Sequence, residues 1–201
     1  MASPSPFLRR WLLRLLILLS VLVLAGLGAV WYVLRKPNVR PSAYGPDYLY
    51  IGTGTGYWAV LDSLQKYELL RNPATFEWLA ERRGYPAQVK PGRYLLAPDL
   101  GNAALLDMLL RGDQDTVAFQ LDAFKYKPQL ARQVARQLET DSLELRRLLQ
   151  DNALLRRLYR LDTTTVLTMF LPGPYRLVWN TSARQFLDSA AAVHRRFWTP
   201  R

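Results

Sequence analysis

Leu15–Leu34, with the sequence LLILLSVLVLAGLGAVWYVL, is a stretch of twenty residues without a charged side chain. A helix of this length extends over about 30 Å, the thickness of the hydrocarbon core of a bilayer. Trp11 lies near one end of the stretch, and Trp31 and Tyr32 lie near the other, where aromatic rings favour the headgroup region. The pattern predicts a single transmembrane helix over 15–34, preceded by a short leader over 1–14.

A cleaved signal peptide is the alternative interpretation of this stretch, because its small residues at 25–29 suit a peptidase. The apolar run, however, is longer than the roughly 7 to 15 residues of a signal peptide and continues to Leu34. We therefore expect an uncleaved anchor. Three basic residues flank each side, so the positive-inside rule does not determine the orientation. The short leader, which has no acidic residue, favours a cytoplasmic leader and an exported remainder.

The composition excludes several kinds of chemistry. The 201 residues include no cysteine, so the chain has no disulfide, thiol nucleophile or thiolate metal site. A single histidine, His194, argues against zinc sites and catalytic triads, and we expect it to be a surface residue. We therefore expect no metal and no cofactor. The net charge of +11 includes six basic and no acidic residues within 1–40, which leaves the remainder only mildly basic.

The next 65 or so residues carry alternating strand and helix signals. Residues 35–47 contain three prolines and no apolar periodicity, which predicts a linker that separates the domain from the membrane. Over residues 48–112 the order of signals then predicts a compact βααβ unit followed by a helix. The signals are a strand at Tyr48–Ile51, a helix with Trp58, Leu61 and Leu64 on its inner face, a helix opened by Asn72-Pro73, a turn at Lys90–Gly92, a strand at Arg93–Leu96 and a helix at Asn102–Arg111.

The glycine-rich segment Gly52–Gly56 joins the first strand to the first helix. Gly54-x-Gly56-x-x-Ala59 fits a loose form of the dinucleotide-binding fingerprint. That fingerprint requires a second parallel strand after the helix, whereas Asn72-Pro73 opens another helix here. We therefore interpret the segment as a strand-to-helix turn.

Residues 113–201 predict the start of a second module that mixes helices and strands, so the fold class is α+β. The signals are a strand at Thr116–Leu121, a helix with Leu130, Val134 and Leu138 on one face, a helix opened by Asp141-x-x-Glu144, a helix with Leu154, Leu155 and Leu158, strands at Val166–Phe170 and Tyr175–Trp179, and a last helix capped by Ser182 with Phe186, Ala190 and Phe197 inward.

No catalytic acid is evident from the residues alone. A glycoside-cleaving enzyme needs a carboxylic acid in an apolar pocket. All five glutamates fall in helical stretches near basic residues, as Glu68 does near Arg71, which indicates surface pairs. The arginine pairs at 146–147 and 156–157 are typical of solvated helix surface, so we expect no nucleic-acid partner. The residues therefore favour a membrane-anchored binding or scaffold region.

Several motifs together resemble the endolytic murein transglycosylase family, MltG or YceG-like. They are Asn72–Ala80 (NPATFEWLA), Val89–Tyr94 (VKPGRY), Leu109–Gly112 (LLRG), Phe170–Tyr175 (FLPGPY) and Trp179–Ser182 (WNTS). The resemblance implies a single-pass protein of the inner membrane whose bulk is periplasmic. It also implies a LysM-like unit at 48–112 that binds N-acetylglucosamine chains of peptidoglycan, and then a domain that cuts nascent glycan strands to 1,6-anhydromuramic acid ends.

The resemblance places the glycan site between two loops, 53–57 and 85–91. Its candidate residues are Thr53, Thr55, Tyr57, Tyr85 and Lys90. The family's catalytic glutamate lies downstream of the segment that matches Arg196–Trp198, so we expect the chain to stop before it, and we assign no catalytic residue. The predicted protein is thus a glycan-binding but catalytically incomplete transglycosylase. The alternative is a non-enzymatic scaffold for cell-wall synthases.

The motif around Pro172 also departs from the family pattern. The family usually has Pro-Asn/Asp-Thr-Tyr where this chain has Pro172-Gly173-Pro174-Tyr175. Any role that the family assigns to the polar side chains of this loop therefore has no counterpart in these residues.

Overall fold

A long apolar helix precedes two antiparallel pairs of strands in this computed structural model, which describes residues 6–40 and 47–199. Part of the predicted leader, 1–5, and part of the predicted linker, 41–46, lie outside the described residues. The helices are α1 Pro6–Arg35, α2 Tyr57–Lys66, α3 Pro73–Arg82, α4 Asn102–Arg111, α5 Lys127–Gln137, α6 Ser142–Leu148, α7 Asn152–Tyr159 and α8 Ala183–Trp198. The strands are β1 Asp47–Ile51, β2 Gly92–Leu96, β3 Thr116–Leu121 and β4 Gly173–Val178, and 3₁₀ turns cover Tyr85–Ala87 and Val166–Met169.

Helix α1 confirms the predicted apolar helix and begins earlier than predicted, within the leader. Its segment Trp11–Tyr32 is long and apolar enough to cross a membrane. The side chains from Trp11 to Tyr32 are exposed, so in a membrane they would contact lipid. A signal sequence near the N-terminus can also be long and apolar enough to meet this criterion, so this geometry by itself shows an apolar helix near the N-terminus.

The first folded unit is built on β1 and β2, which pair antiparallel with Asp47 opposite Leu96 and Ile51 opposite Gly92. Helices α2 and α3 lie between these strands in the chain, as the sequence predicts. Asn72 caps α3, since its side chain accepts a hydrogen bond from Thr75 N at 3.3 Å. The unit's core contains Leu49, Ile51, Tyr57, Val60, Leu61, Leu64, Phe76, Leu79, Ala80, Tyr85, Tyr94, Leu96, Leu105, Leu106 and Leu109.

Helix α2 differs from the prediction in its buried face. It ends at Lys66, and Tyr57 is buried whereas Trp58 is 69 % exposed. The predicted inner face included Trp58 with Leu61 and Leu64. Because successive residues of a helix point about 100° apart, Tyr57 rather than Trp58 shares the face of Leu61 and Leu64.

Residues 37–40 pack on the first unit, in contrast to the predicted linker. Val39 is fully buried and pairs with Leu70, and Pro37 pairs with Gly101. Asn38 is 5 % exposed, and its Nδ2 donates to Asn102 Oδ1 at 2.7 Å. The prediction missed this packing because one apolar residue in an otherwise polar segment leaves no periodic pattern.

The second folded unit is built on β3 and β4, which pair antiparallel from Thr116 opposite Val178 to Leu121 opposite Gly173. Helices α5 and α8 pack on this pair, α6 packs against both of these helices, and α7 adds Leu155 to the shared core. The core contains Val117, Phe119, Leu121, Leu130, Val134, Leu145, Leu149, Leu155, Val166, Met169, Phe170, Tyr175, Leu177, Phe186, Leu187 and Ala190. Together the described residues confirm a mixed α and β fold with one apolar N-terminal helix.

Two local predictions in this unit are wrong. Val166–Met169 is a 3₁₀ turn instead of a strand. The cause lies just before it, where the Asp162 carboxylate accepts hydrogen bonds from the backbone and side chains of Thr164 and Thr165 and folds the chain into a turn. Phe197, predicted to point inward, is 65 % exposed near the end of α8.

Candidate functional site

The loops that the sequence predicts to bind glycan emerge from the same end of the first sheet. Ile51 ends β1 and is paired with Gly92, which begins β2. The loop after β1 and the loop before β2 are therefore neighbours, and Thr53, Thr55 and Lys90 lie in them. Antiparallel pairing produces this arrangement directly, since the end of one strand meets the start of the other.

The glycine-rich loop is a tight turn. Thr55 N donates to Gly52 O at 3.0 Å, and Gly54 has a φ of +82°, a conformation that glycine adopts without steric cost. Thr53 is exposed and Thr55 is half-buried. Two hydroxyl groups thus lie close together on this turn.

Tyr57 and Tyr85, two of the predicted glycan-binding residues, lie in the hydrophobic core. Tyr57 is 5 % exposed, Tyr85 is fully buried, and their rings meet edge to face with centroids 6.0 Å apart. Burial raises the pKa of both phenols, and each hydroxyl lacks a hydrogen-bond partner among the described residues. Their ring faces are therefore packed against protein and do not form a sugar-stacking surface.

Trp58 is the exposed aromatic residue beside the glycine loop. Its ring is tilted against the Tyr57 ring with centroids 5.2 Å apart, and 69 % of the residue is exposed. The predicted helical face assigned this side chain to the core, so Trp58 is not among the glycan-binding residues predicted from the sequence. An exposed tryptophan offers a large apolar face with one polar N–H, which suits a sugar ring.

Lys90 binds the C-terminal end of α4. Its Nζ donates to Arg111 O at 3.1 Å, and a Cβ added at Gly112 would lie only 2.9 Å from Lys90 Cδ. A cation at a helix C-terminus stabilises the carbonyl groups that lack an intrahelical partner. Lys90 is exposed, but this role holds its charged end over α4.

A second aromatic surface lies on the same unit. Tyr48, Tyr50 and Tyr67 line a groove of about 540 Å³ together with Ser63. Tyr50 and Tyr67 are 49 % and 65 % exposed. The Arg93 guanidinium lies over the Tyr48 ring at 4.3 Å from its centroid, which holds that ring in place.

Glu139 of the second unit binds the glycine loop. Thr53 N donates to Glu139 Oε1 at 2.5 Å, and Thr53 Oγ1 donates to Glu139 Oε2 at 2.8 Å. A Cβ on Gly52 would lie 3.2 Å from Glu139 Oε1, so the absence of a side chain at this position permits the approach. Both donors of Thr53 are therefore already occupied by a carboxylate.

A neighbouring contact supports this connection between the units. Glu139 N donates to Trp179 O at 2.8 Å, and the Trp179 ring meets the Tyr50 ring edge to face with centroids 5.1 Å apart. The local sequence pattern predicts Glu139 to be a helix-surface residue. It lies just after α5, and 86 residues separate it from Thr53, so no local sequence pattern could indicate the contact.

Comparison with known proteins identifies the family. A sequence model described as the YceG-like family matches residues 49–200, which is most of the chain. The chain belongs to the YceG-like family. This confirms the predicted resemblance and covers both sheets.

A solved structure that matches this chain is that of the yceG-like protein lmo1499 from Listeria monocytogenes, with a TM-score of 0.37 and 15 % sequence identity. The match covers 76 % of this chain and 55 % of that one. This YceG-like chain therefore spans about half of the length of that protein. A search of curated proteins found no match.

The described carboxyl groups of this YceG-like chain do not supply a buried acid. Each of the five glutamates is exposed or half-buried. The Asp162 carboxyl, which is half-buried, has its pKa lowered, first by the hydrogen bond from the Thr164 hydroxyl and then by those from Thr165. No group of three or more His, Asp and Glu residues that could hold a metal occurs within 6–40 and 47–199. The groups that the described loops expose include hydroxyl groups and an aromatic face.

Proposed function

We propose that this YceG-like chain is a membrane-anchored protein that binds nascent peptidoglycan glycan strands on the periplasmic side of the inner membrane. The observation that carries the proposal is the family match over residues 49–200, because YceG-like proteins are in general similar to endolytic transglycosylases. The proposal places α1 across the membrane as an uncleaved anchor and the remainder in the periplasm.

The first folded unit is the proposed glycan-binding part, and we take it to be LysM-like. Its βααβ order and the antiparallel pairing of β1 with β2 support this assignment. Trp58 would stack on a sugar face, and the Thr55 hydroxyl would bond to sugar substituents. Thr53 would contribute only where ligand displaces or shares Glu139.

Cleavage of the glycan strand is the reaction of endolytic transglycosylases, to which YceG-like proteins are in general similar. It needs a protonated acid beside the glycosidic oxygen. Since the described glutamates are exposed or half-buried, we propose that the described residues position the glycan strand and do not themselves break the bond.

Co-sedimentation of the detergent-solubilised chain with insoluble peptidoglycan tests this function. We expect retention on peptidoglycan and no release of anhydromuropeptides. Trp58→Ala should lower retention severalfold, whereas Tyr126→Ala, which removes an equally exposed ring at the start of α5, should not. Tyr67→Ala reports whether the groove on β1 also contributes. Absence of retention for the unmodified chain would contradict the proposal.

A second candidate function is a non-enzymatic scaffold for cell-wall synthases. It is favoured by the exposed aromatic end of α8, where Phe197 and Trp198 are each 65 % exposed and lie edge to face. Large exposed apolar side chains close together are typical of protein contacts. Co-purification of synthases that is lost in Phe197→Ala/Trp198→Ala, combined with no retention on peptidoglycan, would favour the scaffold.

A further inference from the structure

A crevice lies between the end of α1 and the start of α3. Its lower part is a cavity of about 310 Å³ that is lined by Ala29 and Val30 of α1 and by Ala74 and Trp78 of α3. Its upper part is a cavity of about 360 Å³ whose lining includes Tyr32, Lys36 and Arg71. The two cavities adjoin, since Asn72 and Thr75 line both.

The crevice changes in polarity along the axis of α1. The lower part is almost entirely apolar, whereas the upper part carries two cations. Lys36 lies six residues beyond Val30, which corresponds to about 9 Å along a helix. The apolar part lies toward the transmembrane segment, and the cationic part lies toward the aqueous side.

The cations of the upper part have capacity for an anion. Lys36 Nζ donates to the Tyr32 hydroxyl and lies 4.6 Å from the centroid of that ring. Arg71 donates from Nη2 to Asp99 Oδ1 at 2.6 Å, and a guanidinium carries five N–H donors. Asp99 neutralises at most one of the two cations, so the upper part keeps a positive charge.

The floor of the upper part is held by a network of buried amides. Asn38 Nδ2 donates to Asn72 O at 2.9 Å, and Asn72 N donates to Asn38 Oδ1 at 2.7 Å. Asn38 and Asn102 are 5 % and 2 % exposed. Because this network joins Asn38 to the starts of α3 and α4, the crevice has a defined shape before a ligand enters.

We propose that the crevice binds an anionic phospholipid. The phosphate lies between Lys36 and Arg71, and the first part of an acyl chain lies against Ala29, Val30, Ala74 and Trp78. A phospholipid has a charged phosphate beside its apolar acyl chains, just as the crevice has a cationic part beside an apolar part. Basic residues beside a membrane also attract anionic headgroups. This inference rests on the proposed membrane insertion of α1.

Native mass spectrometry of the full chain in mild detergent tests the lipid site. With phosphatidylglycerol added, we expect bound lipid to persist, and with phosphatidylcholine we expect severalfold less. Lys36→Gln/Arg71→Gln should reduce bound phosphatidylglycerol about 25-fold, because each of the two basic residues near an anionic lipid contributes a factor of roughly five. The matched control Arg146→Gln/Arg147→Gln removes two exposed charges from α6 and should leave lipid binding unchanged.

Two further arms separate the possible outcomes. Asp99→Asn removes the carboxylate that competes for Arg71 and should increase bound phosphatidylglycerol, an effect that a purely structural role of Arg71 would not produce. Inorganic phosphate should not displace the lipid, because it cannot occupy the apolar part. The inference would be overturned if the chain bound phosphatidylglycerol and phosphatidylcholine equally. It would also be overturned if Lys36→Gln/Arg71→Gln bound as much phosphatidylglycerol as the unmodified chain, or if inorganic phosphate displaced the lipid.

Failure of the lipid site can be distinguished from failure of the proposed function. Retention on peptidoglycan reports on glycan binding alone, and resistance to carbonate extraction reports on the α1 anchor alone. A chain that is anchored and retains glycan but does not discriminate between the two lipids would overturn only the lipid site.

Discussion

Removal of the Glu139 carboxylate should release the glycine loop from the second unit. Glu139→Ala deletes both acceptors of Thr53, one bonded to its backbone N–H and one bonded to its hydroxyl. A hydrogen bond to a charged group contributes on the order of 1.5–3 kcal/mol when it is shielded from water. Because Glu139 is half-buried and Thr53 is exposed, we discount this value and expect the pair to contribute about 1–2 kcal/mol.

The Thr53 amide reports this loss directly, since its own N–H is one of the two donors. Local opening free energy determines the rate of amide exchange, and 1.4 kcal/mol corresponds to about a factor of ten. We therefore expect hydrogen exchange at residues 52–56 of the full chain to become roughly 5- to 30-fold faster in Glu139→Ala. Glu139→Gln keeps one acceptor and should show a smaller increase.

The matched control is Glu144→Ala, which removes an exposed carboxylate from α6. It should leave exchange in the glycine loop unchanged. If the Thr53 amide exchanged equally fast in the unmodified chain and in Glu139→Ala, the contact would not restrain the loop and our account of this connection would be refuted.

Three further predictions concern stability. Phe186→Ala should lower the free energy of unfolding by about 3–5 kcal/mol, because the ring is fully buried against Phe119 and Phe170, whereas Phe197→Ala should have little effect in the same thermal melts. Asn38→Ala should cost about 1–3 kcal/mol in urea unfolding, since it leaves the backbone N–H and C=O of Asn72 without their partners, and the exposed Asn152→Ala is its control. Asp162→Ala should lower the melting temperature near neutral pH, because the folded pKa of Asp162 is depressed below its ordinary 3.8. The difference in melting temperature between Asp162→Ala and the unmodified chain should shrink as the pH falls below 3.8. A difference that did not depend on pH would contradict a stabilising role of the Asp162 carboxylate.

Local chemistry made several elements predictable from the sequence. Asn72-Pro73 opens α3, and Ser182 caps α8 through a reciprocal capping box with Gln185. Gly112 ends α4 with a φ of +75°. Each of these signals acts within about four residues, so the interaction that forms the helix end is present in the sequence itself.

The candidate site was only partly predictable. The position of the two loops followed from the strand order, and Thr53, Thr55 and Lys90 do lie in them. The prediction placed Trp58 in the core, whereas the structure buries Tyr57 and exposes Trp58. The predicted inner face of the helix was therefore wrong by one residue. Local hydrophobicity cannot resolve this choice, because both rings are large and apolar and only the facing core selects between them.

The sequence by itself determined the apolar helix, the strands of both sheets and membership of the YceG-like family. These depend on composition and on patterns with periods of two to four residues. The tertiary structure decided which groups face a ligand. It placed Glu139 on Thr53, buried Tyr85 and packed Asn38 beneath the crevice at α1. These contacts join residues that are far apart in the chain, and they form because the whole fold lowers its free energy by burying apolar surface and pairing polar groups.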